Sequence, residues 1–242
     1  MGRKAAILSG GLGMRLRPFT EVIPKPLLPI GEKAILEIQI ELFKKYRIDE
    51  IFLCTNYKSA YIENFFGDGS RYGVKLVVSK EDKPLGTVGP IKLIQDQLSQ
   101  SGEPFVLMNG DIICDLNFDS FFRFAERSNA LLDVGITKII TPYEFGNIFF
   151  DGDRVTAIEE KKDIVSYALA GIYILKPGIF SLIPDGEYFN MDKLILKMLA
   201  EGYPIHKYEI KEYWLDVGRL SDYEKINDEI RHNMHISGGQ DK

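Results

Sequence analysis

The sequence predicts an α/β protein, built on a mostly parallel mixed sheet flanked by helices and carrying a smaller second lobe. Three observations carry that expectation. Short apolar runs bounded by turn residues alternate with amphipathic stretches through the first half. After Asp111 the pattern changes to strands joined by hairpin-like turns. The chain has 242 residues, 45% hydrophobic and 27% charged, enough for a sizeable core around one sheet.

In chain order, the strand-like runs "KAAILS", "EIFLCTN", "VKLVVS" and "PFVLMNGD" are separated by helix-like segments near 33–46, 57–66 and 88–99. Such alternation gives parallel strands with crossover helices. Ligands of these sheets bind beyond the carboxyl ends of the strands, where "GGLGMR" and "NGD" fall. A helix near 117–128 opens the second half, followed by the strands "LLDVGITKI", "NIFFDG", "RVTAIEE" and "YALAGIYIL", with a hairpin turn at Asp151, Gly152 and Asp153. A short helix after Pro177, a helix near 190–200, the strand "IHKYEI" and a helix from Ser221 to about Met234 complete the pattern. Ser221 is the expected N-cap of the last helix, with Glu224 completing a capping box. Residues 1–235 read as a single domain, and 236–242 as a disordered tail.

Composition excludes several classes. A net charge of −5 argues against a nucleic-acid partner, because phosphate neutralisation needs a concentrated basic surface. No stretch reaches the roughly 18 apolar residues of a membrane span, and "MGRKAAILSGG" fits no signal peptide. Cys54 and Cys114 lie apart in apolar contexts, without metal-ligand spacing, which suggests buried thiols in a reducing cytoplasm. His206, His232 and His235 form no convincing constellation, and no activated nucleophile is apparent.

The most informative stretch is "GGLGMRLRPFTEVIPKPLLPI". It lacks the Lys-Ser/Thr of a Walker loop, and a dinucleotide fingerprint would need glycine where Leu16 stands. Pro18, Pro24, Pro26 and Pro29 also forbid the helix on which a pyrophosphate would rest. What remains is a strand followed by an extended, basic, glycine-rich loop. Gly10, Gly11 and Gly13 let the backbone approach phosphate oxygens, and Arg15 can fork onto two of them. Lys25, between two prolines, presents its ammonium from a restricted backbone. A tight turn with solvated cations is the alternative for the glycines alone.

"GGLGMRLRPFT" followed by "PKPL" resembles the signature of the sugar-1-phosphate nucleotidyltransferases, the nucleotide-sugar pyrophosphorylases. "EDKPLGTVGP", "VLMNGDI", "AGIYIL" and "EYWLDVGRLSDY" resemble later motifs of that family in the same order, over about Lys4 to Tyr223. The look is nearest to the mannose or heptose 1-phosphate guanylyltransferases. The resemblance implies the Rossmann-like nucleotide-diphospho-sugar transferase fold. It also implies a nucleotide-binding half over about 1–115 and a sugar-binding half over about 116–235.

Asp111 and Asp216 each follow an apolar run and flank a glycine, and two such carboxylates suit Mg²⁺ completed by substrate phosphates and water. Each alone is more often a turn or helix-cap residue. The resemblance implies that both hold the catalytic magnesium, that Arg15 binds the departing phosphates, and that Lys25 and Lys161 offset repulsion between the substrates. It places nucleotide contacts at Ser9, Gly10, Gly11, Leu12, Gly13, Arg15, Glu81, Gly86, Thr87, Asn109 and Gly110. A Glu81 carboxylate complements the N1–H and amino donors of guanine, which favours GTP over uridine, cytidine and thymidine nucleotides. For the sugar phosphate it implies Gly146, Glu160, Lys161 and Gly171, to which Asn190 and Asp192 are added; Lys162 replaces the family's usual proline. The sugar itself stays open among mannose, a heptose, glucose and an amino sugar. Since the sequence ends soon after "LDVGRLSDYEKI", a single-activity enzyme is expected, with a homodimer as its assembly. A non-catalytic nucleotide-sugar sensor is the rival, disfavoured by the joint presence of Arg15, Lys25, Asp111 and Asp216. A dinucleotide oxidoreductase is disfavoured by the prolines.

Overall fold

The computed structural model describes residues 2–160 and 162–237, the backbone alone for 231–237. Lys161 and the side chains of His232 and His235 therefore lie outside the described residues. The first apolar run is β1 (Arg3–Leu8), with its four central residues buried. It pairs in parallel with β4 (Ile48–Thr55) on one side and β6 (Phe105–Asn109) on the other, and β5 (Lys75–Lys80) adds in parallel to β4. The crossovers are α2 (Ile35–Lys45) and α3 (Ser59–Phe66), as the periodicity predicts. The single helix expected over 88–99 is broken into α4 (Gly89–Lys92) and α5 (Gln95–Ser99). Ile94, between them, leaves helical geometry but stays buried with Ile91 and Leu98, so the apolar stripe runs across the break.

Three turns occupy the loop that the sequence predicts to be extended. They are a 3₁₀ turn at Met14–Leu16, the one-turn helix α1 (Phe19–Val22) and a 3₁₀ turn at Lys25–Leu27. Pro18 and Pro24 sit at the caps of the last two, where a fixed φ and a missing N–H cost nothing. A minimal hairpin of β2 (Pro29–Ile30) and β3 (Lys33–Ala34) returns the chain to α2.

In the second half, α6 (Phe118–Arg127) is capped by Asn117, whose Oδ1 accepts the Ser120 N–H at 3.0 Å. Phe118, Phe121, Phe122 and Ala125 form its buried stripe, and the Phe118 ring meets Phe43 edge-on with centroids 5.1 Å apart. Phe118→Ala should lower unfolding free energy by about 3–5 kcal/mol in denaturant titrations, because the site sits between α2 and α6 and cannot collapse easily.

The long strands β8 (Leu132–Thr141) and β11 (Ile164–Leu175) pair antiparallel, and β11 also runs antiparallel to β6. Between them the chain forms a separate ribbon, β9 (Gly146–Asp151) and β10 (Arg154–Glu160), turning where Gly152 was expected to turn it. After a 3₁₀ segment at Pro177–Leu182 come α7 (Met191–Ala200) and β12 (Ile205–Ile210), the latter parallel to β8. The sheet order is therefore β12-β8-β11-β6-β1-β4-β5, with β11 alone running against the rest. Two short strands escape the sequence pattern: β7 (Ile112–Cys114) and β13 (Trp214–Asp216), which pair antiparallel. The last helix, α8 (Leu220–Ser237), starts earlier than expected. Its first orphan donor, the Arg219 N–H, is satisfied by Asp222 Oδ2 at 2.8 Å, so Ser221 lies inside the helix and is not its cap. Ile236 and Ser237 are helical, contrary to the disordered tail expected there; residues 238–242 lie outside the described residues.

Alternating side chains of the sheet feed two cores. Ala5 and Ile7 pack with α2, α3 and α6, while Ala6 packs with α4, α5 and α7 on the opposite face. Both cysteines are buried thiols. A third, smaller cluster joins Leu16 and Leu28 of the basic loop to Ile113, Val217 and Ile226, which seats that loop against β7 and α8. No described helix is long and apolar enough to cross a membrane.

Asp133 on β8 is a charge inside this framework, 1% exposed. Burial pushes its carboxyl above the usual range, despite the nearby Ser128 hydroxyl and the charges of Lys176 and His206. A folded pKa above the unfolded one lowers stability at neutral pH, and the loss is relieved as pH falls through the raised value toward the ordinary one. Asp133→Asn should therefore raise the thermal midpoint most at neutral pH, with the gain shrinking on acidification. A gain constant with pH would contradict this account.

Candidate active site

The strands order a crevice before any side chain is considered. β4 and β5 lie to one side of β1 and β6 to the other, so the carboxyl ends of β1 and β6 diverge at the switch point. Across that point the Gly110 N–H donates to Leu8 O at 2.9 Å, and a Cβ on Gly110 would stand 2.5 Å from the same oxygen. No larger residue fits. Gly13 turns the basic loop with φ +60°, and a Cβ there would meet Thr20 Cγ2 at 2.7 Å, while the Thr20 hydroxyl donates to Gly13 O at 2.8 Å.

A cleft of about 380 Å³ opens here, lined among others by Gly10, Gly11, Leu12, Glu81, Gly86, Thr87, Asn109, Asp111 and Asn190. Most of the sequence-nominated nucleotide residues thus share one cavity. Ser9 lies beneath it, buried, with a hydroxyl that has no hydrogen-bond partner. Glu81 is buried at 7% exposure; its Oε2 accepts the Leu85 N–H at 2.8 Å, and Oε1 points toward Gly10. Burial raises its pKa, and the Leu85 hydrogen bond opposes the rise. One oxygen is therefore already engaged, leaving a single fully available acceptor where the sequence suggested a pair.

Asp111 and Asp216 come together through the pairing of β7 with β13, which sets Asp216 opposite Ile112 and lets the Val217 N–H donate to Asp111 O at 2.9 Å. Lys25 reaches the same point, with Nζ 2.6 Å from Asp111 Oδ2. Asp111 Oδ1 and Asp216 Oδ1 are buried and have no hydrogen-bond partner. Burial and the neighbouring Asp111 charge push the Asp216 carboxyl up, against the pull of Lys25 and Arg15. Arg15 lies beside Asp216 across Gly218. Among the described residues no group of three or more His, Cys, Asp or Glu could hold a metal. Two carboxylates with free oxygens suit a hard ion that takes the rest of its shell from phosphate and water, which is the habit of Mg²⁺.

The other nominated residues divide. Gly171, on β11, abuts the Asn109 side chain at the edge of the cleft. Asn190, grouped with the sugar residues by sequence, faces the nucleotide loop: its Oδ1 accepts the Thr87 N–H at 3.1 Å, and the Met191 N–H donates to Thr87 Oγ1 at 2.8 Å. Gly146 and Glu160 pair with each other at the open end of the β9–β10 ribbon and do not line the cleft. Asp192 is exposed in the first turn of α7, outside the cleft lining.

Sequence reasoning missed Gln39. Its amide donates to Asn109 O at 2.9 Å and Ile112 O at 2.8 Å, bracketing the turn that carries Asp111. The signal was present: a lone amide within the apolar stripe Ile35, Leu36, Ile40 and Phe43 of α2 is costly unless bonded. Asn56 and Tyr188 also line the cleft and were not singled out.

The nucleotidyl transferase family profile matches residues 4–233. The mannose-1-phosphate guanylyltransferase catalytic subunit beta of Danio rerio is 34% identical over 225 residues, 91% of this chain and 62% of that protein. The chain thus spans about 62% of the length of the curated relatives it matches. HddC from Yersinia pseudotuberculosis superposes with a TM-score of 0.73 at 27% identity, over 95% of this chain and 100% of that one, and has also been crystallised with GMP-PN. A Bacillus anthracis protein provisionally assigned as a glucose-1-phosphate thymidylyltransferase, crystallised with a sucrose, gives a TM-score of 0.76 at 25% identity over 95% of both chains. A profile match over nearly the whole sequence, on a sheet and crevice of this design, leads to one conclusion: the chain belongs to the nucleotidyl transferase family.

Proposed function

We propose that the chain transfers a nucleotidyl group from a nucleoside triphosphate to a sugar 1-phosphate, releasing pyrophosphate and forming a nucleotide sugar. The observation that carries this reading is the convergence of Asp111, Asp216, Lys25 and Arg15 at one end of a cleft whose other wall holds Glu81. A sugar 1-phosphate is already an anion near neutral pH and needs no protein base to attack the α-phosphorus. The demand on the protein is alignment and charge control.

Asp111 and Asp216 would hold Mg²⁺, which when bound supplies Lewis acidity and neutralises phosphate charge. Arg15 binds the departing β- and γ-phosphates in a bidentate fork. Lys25, and Lys161 by its place in the sequence, balance the two anions brought together. The backbone of Gly10 to Gly13 and the Ser9 hydroxyl offer donors to the nucleotide. Glu81, Gly86 and Thr87 face its base, with Asn190 holding Thr87 in place. Gly146, Glu160, Gly171 and Asp192 are assigned to the sugar phosphate, which requires the ribbon and β11 to form the acceptor side. Residues of about 1–115 supply the nucleotide half and 116–235 the sugar half of one domain.

Guanine is the favoured base, because the free Glu81 oxygen, Oε1, can accept from the N1–H and amino groups that only guanine offers together. The 34% identity to a mannose-1-phosphate guanylyltransferase supports that choice and makes mannose 1-phosphate the first acceptor to try. We place the protein in the cytoplasm, where Cys54 and Cys114 stay reduced. A homodimer is supported by the uncovered apolar side of the ribbon, Ile148, Phe150, Val155 and Ile158.

Pyrophosphate release should be greatest with GTP and mannose 1-phosphate when each of the common triphosphates is offered with a panel of sugar 1-phosphates and Mg²⁺. Tight binding of a nucleotide sugar with no turnover for any pair would replace the enzyme with a sensor.

A further inference from the structure

We propose that Lys25 and a divalent cation are alternative partners of Asp111, so that arrival of the ion releases the lysine toward the phosphate of the acceptor. The inference rests on the nucleotidyl-transfer reading and deepens it. Lys25 Nζ lies 2.6 Å from Asp111 Oδ2, and the lysine and aspartate side chains are only 11% and 25% exposed. That contact stands in for a cation: it neutralises Asp111 through Oδ2, while Asp111 Oδ1 and Asp216 Oδ1 are both buried without a partner and give an ion its first foothold beside the lysine. The lysine backbone cannot retreat. It is held in a 3₁₀ turn between Pro24 and Pro26 and followed by Leu28, which is buried in the cluster that ties the loop to Ile113 and Val217.

Only the side-chain torsions of Lys25 can move its ammonium. A doubly charged ion competing for the same carboxylate wins on Coulomb attraction and then repels the ammonium from its side. With both carboxylates taken by the ion, the displaced ammonium is free to pair with an incoming phosphate. The same competition makes ion and phosphate bind cooperatively, since each favours the arrangement in which Lys25 has left Asp111. Without the ion, the lysine is engaged and the phosphate side of the site is poorly charged.

The test measures Mn²⁺ binding in the absence of any substrate, by the electron-paramagnetic-resonance signal of the free ion. Lys25→Gln and Lys25→Met, both checked for folding by circular dichroism, should bind Mn²⁺ about tenfold more tightly than the wild type. Arg15→Gln removes an equal charge beside Asp216 without touching Asp111, and should tighten binding much less. Equal affinities for the wild type and both Lys25 variants would overturn the exchange, as would equal tightening by Arg15→Gln, which would reduce it to general electrostatics. Asp111→Asn should abolish the binding. If it does not, the metal assignment itself fails, an outcome distinct from failure of the exchange alone.

Discussion

Asp111→Asn should lower the rate of pyrophosphate formation by about 10³-fold or more, while circular dichroism shows the fold retained. The substitution is nearly isosteric and retains an acceptor oxygen, but it removes the charge that opposes Asp216 across the β7–β13 pairing. Asn keeps Gln39 bonded to the neighbouring carbonyls, so the turn survives and the loss is chemical. A hard cation binds an amide oxygen far less well than a carboxylate, and the triphosphate and the sugar 1-phosphate would then face each other without compensation. A variant retaining a tenth of wild-type turnover at saturating Mg²⁺ would remove these two carboxylates from the centre of the reaction.

On the proposed function, Lys25→Ala should lower kcat by about 10²–10³-fold with a smaller change in KM for the triphosphate. The lysine ammonium sits at the carboxylate end of the cleft, away from Glu81 and the loop at Gly86. Its loss should therefore leave base recognition intact and weaken charge stabilisation as the two phosphates close. Steady-state kinetics with both substrates varied separates the two parameters. A large rise in KM with kcat unchanged would make Lys25 a uniform binding group instead.

Much of the sheet was legible because its strands obey simple patterns. β1, β4, β5 and β6 are apolar runs between turn residues, and the α2 and α6 stripes repeat at helical spacing. The elements that were missed are those too short to show a period. β7 and β13 have three residues each, and their pairing is fixed by tertiary contact through Cys114 and Trp214, not by local preference. Yet those strands bring Asp111 to Asp216. The pair was named from its flanking glycines and the family motifs, and its meeting could not have been read from spacing. Prolines correctly excluded a long helix after Gly13, but not the single turns between them, since proline at a cap favours a first turn. Asp222 took the capping role expected of Ser221 because its carboxylate reaches back to the Arg219 N–H. The engagement of Glu81 with Leu85, and of Asn190 with Thr87, were likewise matters of loop geometry.

The slender β7–β13 ladder also sets when the two carboxylates can first meet. One strand ends at Cys114 and the other begins only at Trp214, so a growing chain exposes the Asp111 side long before its counterpart is synthesised. The glycine loop after β1 is made early, but Asp216 arrives only when the segment before α8 docks. On the proposed function, translation itself would thereby withhold the complete carboxylate pair until most of the acceptor half exists to receive the sugar 1-phosphate.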